Sequence, residues 1–215
     1  MSMRYACGQL AERAAGIEQA TAAAHRGELV VLPTDTVYGL GCDAFAPHAV
    51  SALLAAKGRG RDMPVPVLVA SAQTVTGLAA EMTYELRQLT EAFWPGPLTL
   101  VVRQAASLAW DLGEAGGSVA LRMPLHPVAL ELLSAVGPMA VSSANRSGEP
   151  AAQTVDDAQA QLGETVAVYL DGGPTAGMVP STIVDLTGHA PRVLRVGALD
   201  IEEIRAVVPQ MEVVG

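Results

Sequence analysis

Aromatic side chains are scarce in this sequence. Phe, Tyr and Trp make up 4% of its 215 residues, so Ala, Val and Leu must build most of the core. Charge is also sparse, at 16% against 50% hydrophobic residues, which excludes a disordered composition. Only two cysteines occur, Cys7 and Cys42, in no metal or redox spacing. A disulfide scaffold and a zinc site are thereby excluded, and reduced thiols fit a cytoplasmic protein. Positive charge is in deficit, with 13 basic against 22 acidic residues and a net charge of -9. That argues against the broad basic face of a DNA-binding protein, but a local cation cluster can still hold a small anion. No apolar run approaches the roughly 20 residues of a membrane helix. The start, MSMRYACGQLAERAAG, has polar and acidic residues where a signal peptide would be apolar. The Walker spacing GxxxxGK[ST] and the GxSxG elbow are both missing, and His25, His48, His126 and His189 stand in no pairing that suggests a nucleophile's base.

What is present is an alternation of helical and extended patterns. Helical spacing runs over 9–26, 47–57, 83–94, 126–137, 154–162 and 200–208. Strands are expected at 27–33, 65–70, 98–103, 118–124, 139–145, 167–171, 181–186 and 192–196, with Pro66 marking an edge or a bulge in the second of them. The stretch TDTVYGLGCDAF (34–45) reads as a glycine-containing loop, as does 104–117. With no repeat or linker in view, the pattern predicts one α/β domain of the α+β type over 1–215, a mixed sheet with helices packed on it.

Several stretches put polar or cationic residues at the ends of these elements. PTDTVYGLG offers Thr34, Asp35, Thr36 and Tyr38 just past a buried strand, either as a ligand site or as a simple turn. AKGRGRDMP carries Lys57, Arg59 and Arg61 at every second position. A guanidinium fork and a mobile ammonium suit phosphates, although a solvated turn with Asp62 as counter-ion is the alternative. Arg122 closes an apolar strand and needs an anion, from the protein or from a ligand. VSSANRSG places Ser143 and Asn145 at another strand end, and Ser181 and Arg195 follow in STIVDL and VLRVG. Together these residues specify a site for something bearing both phosphate and carboxylate groups.

The ordered stretches PTDTVYGLG, KGR…P, LRMP, SSANRSG, STIVDL and VLRVG make the chain resemble the YrdC-like family of L-threonylcarbamoyladenylate synthases, from about Gly27 to Gly197. The resemblance implies a twisted, mixed open sheet flanked by helices around a large concave cavity, in the short single-domain form. It implies a nucleotidyltransferase that joins L-threonine, bicarbonate or CO2, and ATP into threonylcarbamoyl-adenylate, releasing pyrophosphate. A separate threonylcarbamoyl transferase then modifies tRNA, with room for a weak tRNA contact by this chain. Carried over residue by residue, Thr34, Thr36, Arg122 and Ser181 would hold threonine. Lys57, Arg59, Ser143, Asn145 and Arg195 would hold ATP. Mg2+ would accompany the phosphates, with no metal ligands of the protein's own and no acid–base dyad. Two positions depart from the family pattern: Gly60 replaces a usual Pro and is followed by an additional Arg61, and Leu68 stands where a His is common. An RNA-binding or ribosome-associated module on the same fold is the competing expectation, which the -9 charge disfavours. A carbamoyl-transfer role within a larger zinc-bearing protein is disfavoured by the missing CxxC pairs.

Overall fold

The structure is a computed structural model that describes residues 2–213. In chain order it runs β1 (Met3–Ala6), α1 (Leu10–His25), β2 (Val30–Leu32), β3 (Gly39–Asp43), α2 (Pro47–Lys57), β4 (Val67–Leu68), α3 (Val75–Leu78), α4 (Tyr84–Phe93) and β5 (Leu98–Arg103). It continues through β6 (Ser118–Arg122), α5 (Pro127–Val136), β7 (Met139–Ser143), α6 (Val155–Leu162), β8 (Val168–Asp171), β9 (Thr182–Asp185), β10 (Arg192–Arg195), α7 (Ile201–Val207) and β11 (Glu212–Val213). All the strands join one mixed sheet in the order β1-β8-β2-β3-β7-β4-β6-β5-β9-β10-β11.

Period-two burial sorts the strand residues between two apolar layers. Val30 and Leu32 of β2 pack with Ala20 and Ala23 of α1 and Leu132 of α5, whereas Val31 between them joins Leu53 of α2 and Tyr169 of β8. Helices α1 and α5 thus cover β8, β2 and β7 on one face. Helices α2, α4, α6 and α7 lie over the other, contributing Leu53, Leu86, Ala158 and Ile204. The result is the mixed sheet flanked by helices that the sequence pattern predicts. No helix among the described residues is long and apolar enough to cross a membrane.

Three local expectations change. The stretch read as a loop over 34–45 is a loop only as far as Tyr38. Gly39–Asp43 is a buried central strand, antiparallel to both β2 and β7. Its glycines are there for space: a Cβ on Gly39 would stand 2.6 Å from Val141 Cγ1. The strand expected over 65–70 shrinks to two residues, because Pro64 and Pro66 have no N–H to give a ladder. Nor is it an edge strand: β4 lies in the middle, parallel to β6 and antiparallel to β7. Pro66 still contributes its carbonyl, which accepts from Val141 N at 2.8 Å. Strands β1 and β11 and the short helix α3 were not expected from the sequence.

Candidate active site

The layer of α1 and α5 stops at β4. Beyond it, β6, β5, β9 and β10 have their other face in the large apolar layer, through Leu121, Leu100, Val184 and Val193. The alternate residues face the uncovered side. Register pairs Val101 of β5 with Ala120 of β6, and Thr99 of β5 with Ile183 of β9, so Thr99, Val101, Ala120, Arg122 and Ile183 share that face. Here lies a cavity of about 460 Å³, closed on its far side by the 34–39 turn and the end of β7. A register shift between Val193 and Arg195 of β10 lets Leu194 and Arg195, neighbours in sequence, both reach it. A larger cavity of about 680 Å³ lies between the end of α1, α2 and the 164–167 segment, with Arg26, Glu28 and Glu164 beside Leu29, Ala52 and Ala55 in its lining, and contains none of the candidate residues.

The turn after β2 is held by its own hydroxyls. Thr34 Oγ1 donates to Val37 O at 2.6 Å, accepts from Thr36 N at 3.1 Å, and lies 3.1 Å from Thr36 Oγ1. Arg122, 6% exposed, locks this turn to the sheet. It donates from Nη1 to Thr36 Oγ1 at 2.9 Å, from Nη2 to Asp35 Oδ1 at 2.6 Å, and from Nε to Gly96 O at 3.0 Å. Its protein anion is therefore Asp35, whose Oδ1 also accepts from Leu125 N at 3.0 Å. A guanidinium has five N–H groups, so two are left over by these three contacts, on a residue that lines the cavity.

Across the cavity, Thr99 Oγ1 and Ser181 Oγ are 2.8 Å apart. Arg195 donates to Ser181 O from Nε at 3.1 Å and from Nη2 at 2.8 Å, and its Nη2 is 3.2 Å from Ser181 Oγ. Burial first, then the charge of Arg122, lowers the pKa of Arg195. Two cations on one cavity, close enough for one to lower the other's pKa, favour an anionic ligand.

Arg59 enters from the segment after α2. Its Nη1 reaches Ser142 Oγ at 3.2 Å and its Nη2 reaches Pro64 O at 3.4 Å, while its buried Nε has no partner. Ser143 and Asn145 line the same cavity from the end of β7. Lys57 does not: it is 3% exposed and lies behind that wall. Its ammonium donates to Ser143 O at 2.5 Å and to Asn145 O at 2.7 Å, and lies 3.3 Å from Asn145 Oδ1, while Ser147 N donates to Lys57 O at 2.8 Å. The end of α2 is thus stapled to the loop after β7. Desolvation, with a smaller contribution from Arg59, lowers the Lys57 pKa to about 8.

The cavity accordingly gathers Thr34, Thr36, Arg59, Arg122, Ser143, Asn145, Ser181 and Arg195, and leaves Lys57 in support. Thr99 and Ser142 also belong to it and were missed. A threonine inside the apolar run LTLVVR was the available signal for the first; Ser142 carried none of its own. Leu68 sits in the cavity floor with Val101, Ala120, Val141 and Ile183. Arg61 is not in the lining.

The chain matches the Sua5/YciO/YrdC family, described as telomere recombination, over residues 22–197. It belongs to that family. Among Sua5/YciO/YrdC relatives, a Mycobacterium leprae protein provisionally named a threonylcarbamoyl-AMP synthase is 59% identical over 212 residues, covering 97% of this chain and 96% of the relative. The threonylcarbamoyl-AMP synthase of Vibrio cholerae is 36% identical over 185 residues, covering 84% of this chain and 97% of its own. The crystal structure of Pyrococcus abyssi Sua5 complexed with L-threonine is similar at a TM-score of 0.89 and 35% identity, over 100% of this chain. A second structure of that archaeal protein reaches a TM-score of 0.94. This chain spans 62% of the archaeal one.

Proposed function

We propose that the protein is a threonylcarbamoyl-AMP synthase, a nucleotidyltransferase serving threonylcarbamoyladenosine formation in tRNA. The observation that carries this is the convergence of Arg59, Arg122 and Arg195 with the hydroxyls of Thr34, Thr36, Thr99 and Ser181 on one cavity. The names of its full-length relatives and the threonine complex of the archaeal family member support it.

In this reading L-threonine lies against Arg122, Thr36 and Ser181, with its carboxylate on the two free guanidinium N–H groups and its methyl on the apolar floor at Leu68 and Val101. Its free amine forms an N–C bond to CO2 and gives up one proton to solvent, or to bicarbonate with loss of water, and becomes a carbamate. A carbamate oxygen then attacks the α-phosphorus of ATP. The new bond is carbamate O–P; the bond broken joins the α-phosphorus to the bridging oxygen, and pyrophosphate leaves with that electron pair. Both reactants are anions, so the work of the protein is to hold them together and to offset charge on the departing group. Arg59 and Arg195 supply that charge directly. Ser143 and Asn145 face the nucleotide, and Lys57 acts through them. The attack on phosphorus requires no general base, because the attacking carbamate oxygen is already anionic.

Among the described residues no group of three or more His, Cys, Asp or Glu is placed to hold a metal ion, and Asp35 is committed to Arg122. Mg2+, if it takes part, is brought by ATP on its own phosphate oxygens. We read residues 1–215 as one domain, because β1 and β11 end a single continuous sheet. The product is passed in the cytoplasm to a separate transferase acting on tRNA.

The test is pyrophosphate release with L-threonine, bicarbonate and ATP, each omitted in turn. Release that requires all three is expected; release without threonine refutes the reading. Salt-sensitive tRNA affinity with no ATP turnover would favour the RNA-binding alternative.

A further inference from the structure

The additional cation of the segment after α2, Arg61, turns away from the cavity. We infer that Arg61 and Asp111 are positioning residues of the phosphate site, forming a pin that fixes the segment from which Arg59 reaches the cavity. The inference rests on the reading of Arg59 as a phosphate ligand.

The Arg59 side chain is poorly held by its own contacts. Its two side-chain hydrogen bonds, at 3.2 and 3.4 Å, lie at and beyond the long end of the normal range, and its Nε is unpartnered. The segment around it, 58–66, has no regular structure between α2 and β4. Order comes from a second irregular stretch, 108–114, that runs alongside. Arg61 Nη2 donates to Asp111 Oδ1 at 2.6 Å, and Glu114 N donates to Arg61 O at 2.8 Å. Val65 N donates to Leu112 O at 2.9 Å, so Arg61 and Val65 are both tied down just after Arg59.

The bracing stretch is itself anchored. Leu112 is 4% exposed within the large apolar layer, and Leu108 packs against it. Trp110 gives its indole N–H to Gln104 Oε1 at 2.9 Å and stacks on Phe45, with ring centroids 5.4 Å apart. Arg61 therefore joins an irregular cationic segment to an anchored one, through a side chain that is not in the cavity lining. Arg59 and Arg61 divide the labour: one faces the ligand, and the other sets where the first one stands. The backbone of Arg59 is tied to α2 through its N–H on Leu54 O at 2.9 Å, and the pin adds the side-chain tie that holds the next turn of the segment.

The experiment compares wild type with Arg61→Ala, Asp111→Ala, the double variant and Arg61→Lys, all in the full chain. It measures kcat and the KM values for ATP and threonine from pyrophosphate release, and ATP affinity by calorimetry. Each single alanine variant should raise the KM for ATP about three- to fivefold, the scale of an exposed ion pair, and leave the KM for threonine in place. The double variant should be no worse than either single one, and Arg61→Lys should recover part of the loss. If Arg61→Ala weakens ATP while Asp111→Ala does not, Arg61 touches phosphate itself and the pin is refuted. It is equally refuted if both KM values rise together with a lower melting temperature, or if nothing moves. A wild type that binds ATP but releases no pyrophosphate overturns the synthase reading alone; the calorimetric affinities then decide on the pin. A wild type that does not bind ATP overturns both.

Discussion

Replacing Lys57 by Met probes the wall behind the cavity. The ammonium is 3% exposed and surrounded by Ser143 O, Asn145 O and Asn145 Oδ1. Burial is the main reason that its pKa falls from 10.5 to about 8, and Arg59 adds to it. The sign of the consequence follows from proton linkage. Between those two values the unfolded chain keeps a proton that the folded chain has released, so Lys57 makes folding more favourable as pH rises. From pH 8 to pH 9 the folded-state lysine, with its pKa of about 8, goes from half to mostly neutral, which adds about 1 kcal/mol. Two other groups oppose this. Burial raises Cys7 to about 11 and Cys42 to about 12, so each loses stabilising value as the unfolded thiols ionise near pH 9. Subtracting the variant from the wild type cancels both. The assay is urea unfolding of the two proteins, under reducing conditions, at pH 7, 8 and 9. The unfolding free energy of the wild type minus that of the variant should change little from pH 7 to 8 and rise by about 1 kcal/mol from pH 8 to 9. Nucleotide affinity of the wild type should weaken over the same interval as the charge leaves. A wild-type-minus-variant value that stays constant or falls would falsify the assignment of Lys57 as a desolvated support.

Other substitutions test the cavity from its remaining sides. Arg122→Lys cannot reproduce the three contacts to Thr36, Asp35 and Gly96; kcat/KM for threonine should fall more than tenfold and stability by about 2 kcal/mol, read from turnover and urea unfolding. Gly197→Ala would bring a Cβ to 2.3 Å from Pro180 O and 2.4 Å from Ser181 C. It should cost about 1–3 kcal/mol and displace Ser181 and Arg195, so the melting temperature and pyrophosphate release should fall together; an unaltered enzyme would show that the Ser181 backbone can give way. Leu68→His places a hydrogen-bonding ring in the apolar floor. A lower KM for threonine is expected, and no change would mean that the pocket already satisfies its ligand without that ring.

The parts of the chain that could be read in advance share a physical trait. Long helices such as Leu10–His25 and apolar strands such as Leu98–Arg103 carry their own periodicity, so their positions follow from pattern alone. Gly39–Asp43 resisted because its glycines serve the neighbouring Val141 side chain, a tertiary demand that looks like flexibility in one dimension. Strand β4 was misplaced for the converse reason: prolines that forbid regular pairing did not forbid a central position, since one of them still lends a carbonyl. In the site, polar residues at strand ends were legible as a set, but their partners were not. The pairing of Arg122 with Asp35 and the withdrawal of Lys57 behind Ser143 and Asn145 depend on distances between segments about 85 residues apart. Thr99 was visible as a hydroxyl in an apolar run, yet only the parallel register with β9 gives it Ser181 as a neighbour.

The two residues of β4 have a consequence for how the protein becomes competent. Among the described residues they are the only strand joining β1-β8-β2-β3-β7 to β6-β5-β9-β10-β11. The cavity draws Thr34, Ser143 and Asn145 from the first group and Thr99, Arg122 and Ser181 from the second. A chain with either half ordered alone has helices and strands but no binding site. Ligands therefore select the fully joined sheet and add their binding energy to that state only. During refolding, recovery of nucleotide affinity should trail recovery of helical signal, with the interval set by the slow search for this long-range seam.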